Sequence, residues 1–291
     1  MSTRPLTELL GYPADARLLI INADDFGMSQ AENAATIAGL EQGAFCSTTI
    51  MVPCPWFAEA ADYARRMPKL DVGVHVTHTS EWEHYKWGPL LGRSDARSMV
   101  DRQGHFHRTT EAVYEHARLD EVEAETRAQI ETALAAGIDV THLDSHMGTM
   151  QLDVNYHALY VRLAAEYRVP IRMARRTWLE AMGFGAVADQ ADHLGVLHPD
   201  HFYVGGPASP ESTPAYWTHL LHNLHPGVSE LYIHAAFDSP EMRAMTDQWR
   251  QRRADFDFFT APATRALLAE LNVTLIGYRS LRDAQRRLTP C

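Results

Sequence analysis

Three short segments, far apart in the chain, place an Asp or a His where a strand would end. They read Asn22-Ala23-Asp24-Asp25-Phe26-Gly27, Gly73-Val74-His75-Val76-Thr77 and Thr141-His142-Leu143-Asp144-Ser145-His146, and each follows or closes an apolar, β-branched run. One carboxylate and two imidazoles converging from different strand ends can hold a divalent cation, with positions left open for water and substrate. The chemistry open to such a centre is hydrolysis.

In the third segment His142, Asp144 and His146 share one face of an extended backbone, since side chains repeat every second residue. Three coordinating side chains in a row on a buried strand are costly unless paired or bound to metal. An edge strand or a hydrogen-bonded core cluster is the bland alternative, and one of these His would have its ring oriented by Asp144 instead of ligating. Asp24 and Asp25 either cap the helix that starts near Ser29 or divide labour, one binding the cation and the other acting as a base. His75 shares its face with Gly73 and Thr77, away from the valines, and reads as a ligand; His78 lies on the valine side and does not. His234 ends another strong strand, Tyr232-Ile233-His234-Ala235, and reads as catalytic.

The elements that must position these residues follow from hydrophobic periodicity. Residues 17–23 form a near-continuous apolar run, as in a strand covered on both faces. Ser29 then offers an N-cap for a helix over 31–41, which Gly43 stops. Further strands are expected at 47–52, 71–79, 139–144, 170–174, near 201–204, at 229–237 and at 273–278. Helices are expected at 56–67, 120–136, 155–167, 213–224, 241–255 and 261–271. Residues 81–119 lack a sustained period, as in a functional excursion or lid, in which Trp82, Trp87 and Phe106 either anchor the loop or form a stacking wall for a sugar. Strand and helix alternate with no composition break, which predicts the α/β class and an irregular, TIM-barrel-like (β/α) barrel. An open doubly wound sheet is the alternative. The domain plan is an N-terminal extension, 1–16, and a single barrel domain, 17–291, with an insertion at about 81–119.

Over 291 residues, 46% hydrophobic and 22% charged content is ordinary for a soluble globular protein. A formal net charge of −11 argues against nucleic-acid partners, which need clustered Lys and Arg. No apolar run approaches membrane-spanning length, and residues 1–11 lack the pattern of a signal peptide, so a cytoplasmic protein is expected. Cys46, Cys54 and Cys291 read as free thiols. No Gly-rich phosphate-binding turn and no Gly-x-Ser-x-Gly elbow is present. Arg243, Arg250, Arg252 and Arg253 are interleaved with acids and read as a solvated helix face.

The three segments, together with Gly227-Val228-Ser229-Glu230-Leu231-Tyr232-Ile233-His234, resemble the motifs of the YdjC-like family of carbohydrate deacetylases over roughly residues 17–282. The resemblance implies an irregular barrel related to the polysaccharide deacetylases. It implies Asp25, His75 and His146 as metal ligands, Asp24 as general base, and His234 as proton donor or substrate contact. His142 and Asp144 would support the ligands or touch substrate. Two positions depart from the family pattern: Gly148 stands where a further His is usual, and Ala235 follows His234 in place of Pro. The expected reaction is removal of an acetyl group from an N-acetylated amino sugar or oligosaccharide by metal-activated water. The cofactor is one divalent ion; two imidazoles and a carboxylate suit zinc, with magnesium or manganese as alternatives. An amidase or esterase acting on a small non-sugar molecule is the second reading, and a silent barrel scaffold the third. The expected partners are the substrate and, through the excursion, a second copy of the chain.

Overall fold

A computed structural model describes residues 4–288. Its framework is a parallel sheet of seven strands: β1 (Arg17–Phe26), β2 (Ser47–Ile50), β3 (Val72–Val76), β4 (Val140–Ser145), β5 (His201–Tyr203), β6 (Gly227–Ile233) and β7 (Val273–Leu275). The order is β4-β3-β2-β1-β6-β5, with β7 beside β1. β1 spends its first residues on β7, Arg17 opposite Val273 to Leu19 opposite Leu275, and turns to β2 from Asn22 onward. That change of partner curls the sheet. Leu18 to Phe26 are buried without interruption, because helices cover one face of β1 and the barrel interior the other.

The curl stops short of closure between β4 and β5. The strand expected at 170–174 is reduced to one bridge, Ile171 to Leu143. Pro170 has no N–H to give a ladder. The result is an irregular half-barrel of the α/β class, as the alternation of elements predicts.

Two other expectations change. The single helix at 241–255 is two helices, Pro240–Met245 and Trp249–Thr260, because Thr246 is extended. The last strand ends at Leu275, and Tyr278 opens a closing helix, Tyr278–Leu288. This helix lays the Tyr278 ring flat on His142, 3.8 Å between centroids. The excursion carries a 3-10 turn, Arg97–Met99, and a short helix, Thr110–His116. Trp87 anchors it, buried and donating from Nε1 to the Thr79 carbonyl at 2.7 Å, and Phe106 is fully buried. Leu6, Leu10 and Tyr12 pack against Leu18, Ile20 and Val228 beside the start of β1. Cys46 and Cys54 are free thiols; Cys291 lies outside the described residues. No helix among the described residues is long and apolar enough to cross a membrane.

Gly73 of β3 is required by space. A Cβ there would lie 2.5 Å from the His142 ring, which Tyr278 prevents from retreating. Gly73→Ala is expected to destabilise the fold by about 1–3 kcal/mol, read from urea unfolding midpoints.

Candidate metal centre

The carboxyl ends of β1, β3 and β4 deliver Asp25, His75 and His146 to one point. Asp25 Oδ1 lies 3.4 Å from His75 Nε2 and 3.4 Å from His146 Nδ1, and the two nitrogens are 3.3 Å apart. Ligands about 2.1 Å from a shared cation at tetrahedral angles stand roughly 3.4 Å from one another. The backs of both rings are held by carboxylates. His75 Nδ1 donates to Asp144 Oδ1 at 2.6 Å, and His146 Nε2 donates to Glu81 Oε2 at 3.0 Å. A carboxylate only accepts, so these bonds fix the tautomers that aim the other nitrogens at the shared point. Asp25 Oδ1 is buried with no hydrogen-bond donor. These residues fit a divalent cation. Asp24, His75 and Asp144 also lie close together, but the Arg172 guanidinium already occupies that space between the two carboxylates.

Local backbone explains the placement. Ser29, not either Asp, caps the helix Gln30–Glu41, its hydroxyl accepting the Glu32 N–H at 3.2 Å. Asp24 and Asp25 are thereby left to the site. Asp25 sits at φ 67°, a left-handed conformation at the tip of β1, and Met147, after His146, sits at φ 52°. Such strained residues persist where surroundings hold them. His146 lies just past β4, in the 3-10 turn His146–Gly148, not in line with His142 and Asp144 along the strand. His142 stays beneath the site, stacked on Tyr278, with Nδ1 beside the Thr141 hydroxyl at 3.0 Å. Asp144 orients His75, and takes a second bond from Thr49 at 2.8 Å.

Asp24 is gripped by both arms of Arg172, each at 2.8 Å, and by Asn22 Nδ2 at 2.8 Å. Burial alone would raise its proton affinity, but Arg172 outweighs burial and holds it at about 2. Arg172 continues to Glu230 at 2.8 Å, whose other oxygen accepts the Tyr278 hydroxyl at 2.5 Å. Asp25 is likewise held well below the carboxylate range, where His234 and Arg252 overcome burial. His234 Nε2 stands 3.7 Å from Asp25 Oδ2, its side chain about a third exposed (33%). Desolvation, helped by Arg252, pushes His234 down to about 4, so it is neutral at neutral pH.

A cavity of about 380 Å³ opens over this cluster, within the range that small-molecule sites occupy. Asp24, Asp25, His75 and His146 line its floor; Trp82, Trp178, Phe202 and Tyr232 supply aromatic wall. The polar residues that sequence reasoning passed over are Glu81, Arg172, Glu230 and Arg252. Glu230 shares the strand phase of Tyr232 and His234, and Arg172 interrupts an apolar run after Pro170; both were visible as misplaced charges. Arg252 is a correction: it is 4% exposed and paired with Asp25 and Glu32, not part of a solvated face.

An α/β half-barrel with an Asp/His cluster at the carboxyl ends of its strands is the class that fold and site define. The chain belongs to the family of YdjC-like proteins, whose sequence profile matches residues 18–270. It is 33% identical to a carbohydrate deacetylase of Thermus thermophilus, covering 96% of this chain and 98% of that one. It is 29% identical to a carbohydrate deacetylase of Brevibacillus brevis, over 90% and 99% of the two chains. A crystal structure from Enterococcus faecalis V583, of a protein provisionally assigned to cellobiose-phosphate cleavage, superposes with a TM-score of 0.78 at 27% identity, covering 91% of this chain and 99% of that one.

Arg172→Met tests the charge arrangement. In the native protein Asp24 is held at about 2 against an ordinary 3.8, so its contribution is complete above pH 4 and fades as pH falls toward 2. Without Arg172 the buried carboxylates favour protonation and the sign reverses, so the loss grows as pH rises. The variant is expected to lose about 3–5 kcal/mol at pH 7 and less at pH 5, by denaturant unfolding at both.

Proposed function

We propose that this protein is a carbohydrate deacetylase whose hydrolysis depends on a divalent cation held by Asp25, His75 and His146. The observation that carries the reading is the triangle of three donor atoms, 3.3–3.4 Å on each side, with both imidazoles backed by carboxylates. The carbohydrate deacetylases to which the chain is similar over nearly its whole length support the choice of substrate and bond. Zinc suits the ligand set, with magnesium or manganese as alternatives.

A divalent cation held by Asp25, His75 and His146 would supply Lewis acidity to a neighbouring carbonyl and water. Asp24 is the base. Arg172 keeps it ionised and fixes both of its oxygens, so it accepts the water's proton in a set direction. Held at about 2, it is a weak base, and its contribution is the fixed placing of an ionised carboxylate beside the ligand cluster. His234 starts neutral and therefore contacts the acylated amine through a hydrogen bond, while the proton that Asp24 removed returns to the departing nitrogen. Asp144 and Glu81 keep the ligand rings in register. The aromatic wall of Trp82, Trp178, Phe202 and Tyr232 offers faces on which a sugar ring stacks.

The test is deacetylation of N-acetylglucosamine oligomers, N-acetylgalactosamine and simple acetamides by stripped and metal-reloaded protein. Chelation is expected to abolish turnover and reloading to restore it. His75→Ala and His146→Ala are expected to lose the cation. Asp24→Asn is expected to keep it and lose turnover by about 10²–10⁴-fold. Metal-independent activity, or an undiminished rate in Asp24→Asn, would remove the proposal.

Cation uptake is also expected to release protons. Burial lowers the proton affinity of both ligand rings, but Asp144 lifts His75 to about 10 and Glu81 lifts His146 to about 9. The neighbouring carboxylates thus favour the protonated form of these rings in the metal-free protein, and ligation displaces protons. Calorimetry in buffers of different ionisation enthalpy should register net proton release on cation binding at pH 7, with affinity falling as pH is lowered.

A further inference from the structure

We propose that Arg252 is a positioning residue that restricts Asp25 to ligating the cation through one oxygen, and so keeps a coordination position free for substrate. This rests on the reading of Asp25, His75 and His146 as the cation site.

The carboxylate of Asp25 is divided between two duties. Oδ1 faces the two imidazole nitrogens at 3.4 Å each and has no hydrogen-bond donor. Oδ2 accepts from Arg252 Nη1 at 2.8 Å and points toward His234, 3.7 Å away. Carboxylates bind cations through one oxygen or both, and the free choice depends on what else the second oxygen touches. With Oδ2 committed to a buried guanidinium, turning to a two-oxygen grip would break the bond to Arg252 Nη1 and set that guanidinium against the cation.

Arg252 is itself fixed from three sides, so it cannot yield. The helix Trp249–Thr260 carries it inward, the Glu32 carboxylate on the helix Gln30–Glu41 pairs with the same Nη1, and the Trp82 ring lies 5.4 Å from Cζ. Asp25 is held from behind as well, its left-handed backbone tied by the Met28 N–H to its carbonyl at 3.0 Å. A guanidinium is suited to this place because it remains charged when buried and reaches two carboxylates at once.

The arrangement has a cost in cation affinity. A positive group 2.8 Å from the ligand carboxylate draws charge from it and repels the cation. The same withdrawal leaves the cation a stronger Lewis acid with an open position. Arg252 thus works against binding and in favour of turnover, whereas a residue needed only for structure would support both.

The experiment compares native protein, Arg252→Met and Arg252→Lys, each stripped and titrated with cobalt(II) while visible absorption is recorded. Arg252→Met is expected to bind cobalt tighter by on the order of tenfold. Its absorption should weaken as the second oxygen raises the coordination number, and kcat should fall. Arg252→Lys keeps a cationic donor and should move all three readings back toward native values. Should Arg252→Met not fold, Arg252→Gln, which loses the charge, is expected to tighten binding as well. Unchanged or weaker binding in the neutral variants, with an unchanged cobalt spectrum, overturns the proposal while leaving the cation site intact. Failure of the native protein to bind cobalt or zinc removes the cation site itself, and this inference with it.

Discussion

Negative charge buried at the tips of the central strands is the constraint around which this molecule is arranged. Asp24, Asp25, Asp144 and Glu230, with Glu32 beside them, are all withdrawn from water. Unpaired carboxylates in such surroundings would take up protons or unfold the chain. Two guanidinium groups meet part of the demand, while burial still pushes Glu32 up to about 8 and Glu230 up to about 7. Arg172 joins Asp24, Asp144 and Glu230, and Arg252 joins Asp25 and Glu32. The adjacent acids Asp24 and Asp25 therefore face different partners. Asp24 has both oxygens occupied by Arg172, while Asp25 keeps one oxygen bare beside two imidazoles.

The incomplete barrel serves this arrangement. Where a closing strand would run between β4 and β5, the chain at Pro170 to Arg172 makes a single bridge and turns the Arg172 side chain inward. A regular strand would spend that segment on ladder hydrogen bonds. Here it supplies the guanidinium that pairs with three acids and rests on the faces of Phe202 and Tyr232 at 5.3 and 5.0 Å. The excursion contributes in the same way from the other side. Trp87 pins it, and Glu81 and Trp82 then reach His146 and Arg252.

Gly148 and Ala235, the two positions expected from the resemblance to depart from the family motifs, fall at the cavity and just behind it. Gly148 lines the cavity at φ 69°, and a Cβ there would already press on Leu152 at 3.3 Å. A side chain as large as His is thus absent from this wall, and Leu152, Met147 and Val204 present apolar surface instead. Ala235 is fully buried behind His234.

Sequence alone determined the parallel α/β framework, because a fully buried strand such as β1 must be apolar throughout and helices must intervene between parallel neighbours. It also singled out Asp24, Asp25, His75, His234 and the run His142, Asp144 and His146, since coordinating side chains at the ends of apolar runs are conspicuous, and the resemblance to YdjC-like motifs implied His146 as the ligand among the last three. What it left undetermined are contacts between residues distant in the chain. Arg252 carries the same local pattern as the exposed Arg253, and only the packing of its helix against Asp25 and Glu32 makes it an interior charge. The physical basis for the division of roles among His142, Asp144 and His146 lies in the turn after β4 and the Tyr278 ring, because period-two spacing fixes a face but not how far along it the strand ends. Periodicity is written in neighbours along the chain; compensation of buried charge is written in neighbours across it.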